Sequence, residues 1–161
     1  MDDLYKYKYK PCNIVIYDRK EDILLKEISL IAYNKDTKRV VALGNEAEQL
    51  LGNCDDNIVI ISPLKNGFIA NFSEAQSMFK YFINKAYKSK LFTRPKVIVC
   101  TPPEPTEVEE KAYEEVILMS GGKEVYITQE LMDTIIPGVK DDYNIIIGIL
   151  IWVENINYTY K

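Results

Sequence analysis

Nine consecutive residues near the end of the printed sequence, 145–153 (IIIGILIWV), have no charged side chain and no polar one except the indole of Trp152. A membrane-spanning helix needs roughly 20 apolar residues, so the run is too short to cross a bilayer. Its β-branched residues, which begin at Ile145 and end at Val153, favour a strand. A strand that is apolar on both faces is normally buried on both faces. The run therefore predicts a central strand of an α/β sheet, or one that becomes central by pairing with another chain.

Composition excludes several classes of protein. The chain has 161 residues, enough for one domain or two small lobes, and 47% of them are apolar. A net charge of −4 argues against nucleic acid as a partner. Histidine is absent, which excludes Ser-His-Asp and Cys-His catalysis and most zinc sites. Without a recognisable signal peptide, Cys12, Cys54 and Cys100 are interpreted as free thiols in a reducing cytoplasm, and no metal site is predicted.

The first half of the sequence predicts a meander of short antiparallel strands followed by helices. A short helix is predicted over 46–51, with Asn45 as its N-cap. A longer helix is predicted from Ser73, with Gln76 as its capping-box partner. Strands are predicted at 5–10 (YKYKYK), 13–17, 23–33, 39–43 and 57–64, and the apolar stripe of the longer helix is Ala75, Met78, Phe79, Phe82, Ile83 and Ala86.

The second half alternates strands with helices, which predicts a mostly parallel sheet. Strands are predicted at 96–100 and 124–128, and a short helix at 129–136. Between the strands, Thr106 and Glu109 form a capping-box pattern at the start of a helix. The apolar stripe predicted for that helix is Val108, Ala112, Val116 and Met119.

Six sequence runs carry a resemblance to a known family. They are VVALGNEAEQLLG, ISPLKNGFIANF, MFKYFINKA, RPKVIVCTP, TEVEEKAYEEV and GGKEVYITQELM. Their order and spacing over residues 13–132 resemble the MreB family of bacterial actin-like, rod-shape-determining proteins. The resemblance implies an α/β fold: an actin-like, RNase H-like domain with a mixed sheet flanked by helices. It also implies one actin-like half-molecule over 1–161, with a small β-rich lobe inserted at about 30–70 into a core of 1–29 and 71–161.

The resemblance implies ATP held in a cleft by two glycine-rich phosphate loops, whose backbone N–H groups face the anion. This sequence departs from the first loop: Lys8, Lys10 and Pro11 stand where the family has Asp, Gly and Thr. Proline has no N–H to offer a phosphate. The two lysines could still bind a phosphate as point charges, or they could form the solvated face of a strand.

The second loop is also missing. One alignment places it in the run 145–153, with Gly148 at the Asp position and Leu150, Ile151 and Trp152 in place of the glycines. The other alignment treats the loop as deleted. In either case, we expect plain strand where the family binds phosphate.

Two further positions are implied by the resemblance. The family's water-activating acid falls on Gln76, whose amide cannot act as a general base, and Thr106 matches a threonine near the γ-phosphate. Each residue also fits a structural role in a helix cap. The family's second half, which holds the adenosine, is absent from this sequence. We therefore expect no catalytic residue, no bound cofactor and no metal.

A membrane contact is implied at Leu91 and Phe92, where the family has a hydrophobic loop that enters the bilayer. Nearby lysines, Lys88, Lys90 and Lys96, would favour anionic lipid, each by about 1 kcal/mol. The alternative is a loop that packs against its own domain.

Three functions follow as hypotheses. The first is a non-catalytic MreB-like cytoskeletal module, not an enzyme, that binds or regulates cell-shape filaments or assembles with itself, in the cytoplasm or at the inner face of the membrane. The second is an ATP-binding actin-family protein that needs a separate second half. The third is a truncated gene product without a selected activity. For the strand 145–153 we expect either addition to the chain's own sheet or, preferred, pairing with its copy in a homo-oligomer.

Overall fold

The computed structural model describes residues 10–88, 93–130 and 134–151. The predicted strand at 5–10 therefore lies outside the described residues except for Lys10, and so does the middle of the helix predicted over 129–136. The described elements are β1 (Asn13–Asp18), β2 (Ile23–Ile28), β3 (Ile31–Asn34), β4 (Val40–Leu43), α1 (Asn45–Gln49), β5 (Ile58–Ile61), β6 (Leu64–Lys65), β7 (Phe68–Ile69), α2 (Phe72–Ala86), β8 (Lys96–Cys100), α3 (Glu107–Met119), β9 (Glu124–Thr128), α4 (Val139–Asp142) and β10 (Ile145–Leu150).

The main sheet is five-stranded and mixed, with the order β2-β1-β10-β8-β9. Strand β1 runs antiparallel to both β2 and β10, whereas β10, β8 and β9 run parallel to one another. Because parallel strands need crossover connections, α3 lies between β8 and β9 and α4 lies between β9 and β10, while α2 precedes β8. The predicted mixed sheet with flanking helices is confirmed.

A second sheet has the order β4-β3-β5, and α1 packs against it through a small core of Leu30, Ala32, Ala47 and Ile60. Its strands are too short to bury a core alone, so the helix is needed to cover one face. This unit lies between residues 30 and 61. The lobe boundaries at 30 and 70, and the core of 1–29 and 71–161, stay predictions.

The principal core lies between the main sheet and the helices α2 and α3. The predicted stripe of α2 faces this core: Ala75, Met78, Phe79, Phe82 and Ile83 are buried, and Ala86 is half-buried. The capping box of α3 is also confirmed, since the Thr106 and Glu109 side chains each bind the other's backbone N–H.

The predicted stripe of α3 is wrong in part. Val108 and Met119 are 78% and 56% exposed, and the buried face consists of Tyr113, Val116 and Ile117. Tyr113 sets this orientation, because its hydroxyl donates to the buried carbonyl of Gly67 at 2.5 Å and its ring packs edge-on against Phe79. The hydrophobic pattern alone therefore assigned Val108, in the first turn of α3, to the buried face of the helix, although its side chain is exposed.

Two predicted N-caps are also wrong. Helix α2 begins at Phe72 with Asn71 as its N-cap, so Ser73 and Gln76 lie inside the helix and form no capping box. Helix α1 begins at Asn45, whose side-chain oxygen instead accepts from the backbone N–H of Ile28. At α1, this contact with β2 replaces the cap that the local pattern predicted.

Candidate functional site

Strand β10 covers most of the run in which one of the two alignments places the second phosphate loop. It pairs with β1 from Asn13–Leu150 to Asp18–Ile145, and with β8 from Ile145–Val97 to Gly148–Cys100. Because Ile145 to Gly148 are paired on both edges, these four residues have no edge to offer a second copy. Pairing of this strand with its copy is therefore wrong for Ile145 to Gly148, and the alternative, addition to the chain's own sheet, is confirmed. A homo-oligomer formed through another surface stays a prediction. Trp152 and Val153 lie outside the described residues.

Gly148 lies in the middle of this strand with an ordinary backbone conformation. A Cβ added there would meet the Val15 carbonyl oxygen at 3.8 Å and the Tyr17 ring at 3.9 Å, which are ordinary van der Waals contacts. The position therefore does not require glycine. What the strand needs is its apolar residues, because Ile145, Ile147 and Ile149 enter the helix-side core while Ile146 enters the core on the other face.

The residues at the first phosphate-loop positions pass from the protein surface into its interior. Lys8 lies outside the described residues, Lys10 is exposed and Pro11 is buried. The next N–H, that of Cys12, donates to the Ser29 hydroxyl at 2.8 Å. Burial raises the pKa of the Cys12 thiol to about 11, so the thiol is neutral at pH 7.

Ser29 is part of a buried hydroxyl cluster at the junction between the two sheets. Its oxygen lies 3.1 Å from that of Ser62, and the Ser62 hydroxyl donates to the carbonyl of Leu64 at 3.1 Å. The polar groups near the first loop position thus bind one another in the interior, where Ser29 and Ser62 have no exposed surface. They satisfy the requirement that buried polar atoms be hydrogen-bonded.

The remaining two nucleotide positions lie on α2 and at the start of α3. Gln76 is half-buried, and its carbonyl accepts from the Ser120 hydroxyl at 3.3 Å. Thr106 Oγ1 accepts from the Glu109 N–H at 3.1 Å, and Glu109 Oε1 accepts from the Thr106 N–H at 2.9 Å. The structural role predicted for Thr106 is confirmed, whereas the cap role of Gln76 is wrong.

The membrane-loop candidates Leu91 and Phe92 lie outside the described residues. Of the lysines beside them, Lys88 is exposed, and Lys96 Nζ lies 3.7 Å from Glu124 and 3.8 Å from Asp142. Within 10–88, 93–130 and 134–151, no helix is long and apolar enough to span a membrane. The same ranges contain no group of three or more acidic or cysteine side chains arranged to hold a metal ion.

The sequence interpretation missed one surface feature. A shallow groove of about 420 Å³ lies where the start of α2 meets α3. Its lining has an apolar part, Phe72, Val108 and Ala112, and a charged part, Glu107, Lys111 and Glu115. A signal was present, because Val108 stands among glutamates in the first turn of α3, but the stripe prediction assigned it to the core.

The main sheet is mixed and five-stranded, with helices packed on it. The small three-stranded sheet lies between β2 and α2 in chain order. Together these features define an actin-like protein. The family model described as MreB/Mbl protein matches residues 10–142. The chain belongs to the MreB/Mbl family.

Known members of the family are similar in sequence. The cell shape-determining protein Mbl of Bacillus subtilis is 42% identical over 118 residues, which are 73% of this chain and 35% of Mbl. MreB of Haemophilus influenzae is 36% identical over 125 residues, covering 74% of this chain and 36% of that protein. The chain thus spans about a third of the length of these relatives.

Two solved structures are similar in fold. MreB5 of Spiroplasma citri bound to AMPPNP has a TM-score of 0.65 and 28% identity, with 74% of this chain and 36% of that one covered. A subunit of the MamK double helical filament has a TM-score of 0.60 over 74% of this chain and 38% of its own. At 12% identity, MamK is evidence for the fold alone.

Proposed function

We propose that this chain is a non-catalytic member of the MreB cytoskeleton, which acts by associating with MreB-type filaments or with copies of itself. One observation supports the non-catalytic part above others. A phosphate loop needs backbone N–H groups that point at the anion. Here Pro11 has no N–H, and the N–H of Cys12 donates to Ser29 in the interior. At the second loop position, Gly148 is paired with both β1 and β8, and Leu150 is paired with Asn13 of β1.

A thermal shift assay tests this proposal. A ligand present at 100 times its Kd stabilises a protein by about 2.7 kcal/mol. We expect millimolar Mg-ATP to leave the melting temperature of this chain unchanged, while it stabilises full-length Mbl measured in parallel as a positive control. A saturable rise in the melting temperature of this chain would overturn the proposal.

A second candidate is ATP binding in which another chain supplies the missing half. The MreB5 structures favour it, because that relative is bound to AMPPNP in one crystal and to ADP in another. In this case Lys8 and Lys10 would hold the phosphates as point charges. The candidate predicts a melting shift with Mg-ATP that the double variant Lys8→Gln/Lys10→Gln abolishes, and an identical shift in the double variant would contradict it.

The groove at α3 supports the association part of the proposal. Val108 is 78% exposed, more than any other large apolar side chain of the described residues. Exposed apolar side chains beside charged ones are typical of a protein-binding surface. The charged residues Glu107, Lys111 and Glu115 follow one another at intervals of one helical turn. We propose a second copy of this chain as the occupant, because two copies packed antiparallel, with the two-fold axis midway between Lys111 and Glu115, would bring each lysine against the glutamate of the other copy.

Sedimentation of the full chain tests the association. Burying one valine contributes about 1.5–3 kcal/mol, so we expect Val108→Glu to weaken self-association at least tenfold. Val41→Glu is a matched control, since Val41 is also an exposed valine but lies on β4. Co-sedimentation with Mbl filaments, in parallel, identifies filament binding. Equal effects of the two variants, or a monomer that binds no filament, would overturn the association part.

The place of action that we propose is the cytoplasm, at the inner face of the membrane. The support is the apolar pair Leu91 and Phe92 beside exposed Lys88. Flotation with vesicles containing anionic lipid tests it. We expect binding to be lost in Leu91→Ser/Phe92→Ser and kept in the control Leu24→Ser, a change at an exposed leucine on β2. Equal flotation of both variants would contradict the membrane contact.

A further inference from the structure

The strand that completes the main sheet comes from outside the part of the chain that matches the family. The match covers residues 10–142, which contain β1, β2, β8 and β9, whereas β10 begins at Ile145. Strands β1 and β8 each pair with β10 and not with each other. The matched part therefore has an open position, one strand wide, in the middle of its sheet.

An open position there is incompatible with a stable sheet. The edges of β1 and β8 that face it would present backbone N–H and C=O groups without partners, in the interior. The position also contributes to both cores, through Ile147 and Ile149 on the helix side and Ile146 on the other.

We propose that β10 is a self-complementing strand, which fills in cis a strand-binding site formed by β1 and β8. The site selects an apolar segment that runs antiparallel to β1 and parallel to β8. It requires large β-branched side chains at the positions of Ile145 and Ile147, which have no exposed surface, and it accepts a small residue at Gly148. The inference is independent of the proposed function, because it concerns how this part of the family fold is completed.

The connection to β10 allows a direct test in the full chain. Ile136, Pro137 and Gly138 are exposed, so a protease site inserted after Pro137 can be cut in the folded protein. After the cut, we expect the segment that carries β10 to remain bound through gel filtration, with an unchanged far-ultraviolet spectrum, and to separate only in denaturant. Release of the segment from a remainder that stays monomeric and keeps its spectrum would overturn the proposal.

A synthetic peptide of residues 139–151 tests the selectivity of the site. After denaturation and refolding with an excess of labelled peptide, we expect the peptide to replace the cut segment at 1:1 stoichiometry. The Ile147→Asp peptide should bind at least a hundredfold more weakly, while the Gly148→Ala peptide binds as well as the parent. Equal binding by the Ile147→Asp peptide, or aggregation of the remainder that the parent peptide does not prevent, would overturn the proposal.

Discussion

The ammonium group of Lys85, near the end of α2, donates a hydrogen bond to the carboxylate of Glu27 in β2, with Nζ and Oε1 2.8 Å apart. Glu27 is 6% exposed and Lys85 is 49% exposed. The other carboxylate oxygen of Glu27 accepts from the N–H of Asn45 in the first turn of α1, at 2.7 Å. One buried carboxylate thus joins a strand of the main sheet to two helices. The hydrogen bond to Glu27 raises the pKa of Lys85 above its usual 10.5, so the ammonium group is charged at neutral pH.

Removal of the lysine should destabilise the fold. Lys85→Met leaves a buried carboxylate without its cation, which should lower the free energy of unfolding by about 2 kcal/mol. Adding Glu27→Gln removes the uncompensated charge and should restore at least half of the loss, as measured by urea unfolding. The control Lys140→Met breaks a pair with the exposed Glu21 and should cost less than about 1 kcal/mol. Additive effects of the two substitutions would contradict coupling between Lys85 and Glu27.

Two glycines should respond in opposite ways to alanine. Gly44 has a φ of 63°, and a Cβ there would lie 2.4 Å from Glu27 Oε2. Gly44→Ala should therefore cost about 2 kcal/mol or more, since a φ of 63° with a ψ of −133° is a sparsely populated conformation that costs a residue with a Cβ about 1–3 kcal/mol. Gly148→Ala should change the stability by less than about 1 kcal/mol, because alanine suits a strand interior at least as well as glycine. Thermal melts compare the two, and an equally large loss at Gly148 would contradict its ordinary strand geometry.

The cap of α3 makes a prediction at Thr106. Thr106→Ala removes the acceptor for the Glu109 N–H and should lower the free energy of unfolding by about 1 kcal/mol. Thr106→Ser keeps the hydroxyl and should retain most of the stability. Ser73→Ala, on α2, should fall within about 0.5 kcal/mol of the parent, because Ser73 caps nothing. Chemical unfolding of the three variants measures this, and a comparable loss at Ser73 would restore the capping box that the structure excludes.

The buried thiol of Cys12 predicts a loss of stability in alkali. Its pKa rises from 9.0 to about 11 on folding, so the unfolded chain releases this proton at a lower pH than the folded one. The contribution is complete below pH 9 and is lost as the pH rises to 11, by about 2–3 kcal/mol. The stability difference between the parent and Cys12→Ala should shrink by that amount across this range. A difference that is independent of pH would contradict a protonated buried thiol, and exposed Cys54→Ala is the control.

Patterns with short sequence separations predicted much of this fold. The capping box needs only Thr106 and Glu109, and the buried face of α2 repeats every three or four residues. Strand β10 is recognisable because its residues are consecutively apolar. Such features depend on backbone geometry within one element. Of the candidate site, the sequence alone shows that Pro11 and the residues around Gly148 differ from the glycine-rich loops of the family.

Contacts between distant positions were decided only by the tertiary structure. The sequence predicted that β10 is buried on both faces, but not that it lies between β1 and β8 rather than against a second copy. It did not indicate that Glu27 would bind Asn45 and Lys85, or that Tyr113 would turn Val108 towards solvent. The physical reason is that these arrangements depend on which surfaces meet when the whole chain packs, and that choice is made by the sum of many contacts between elements.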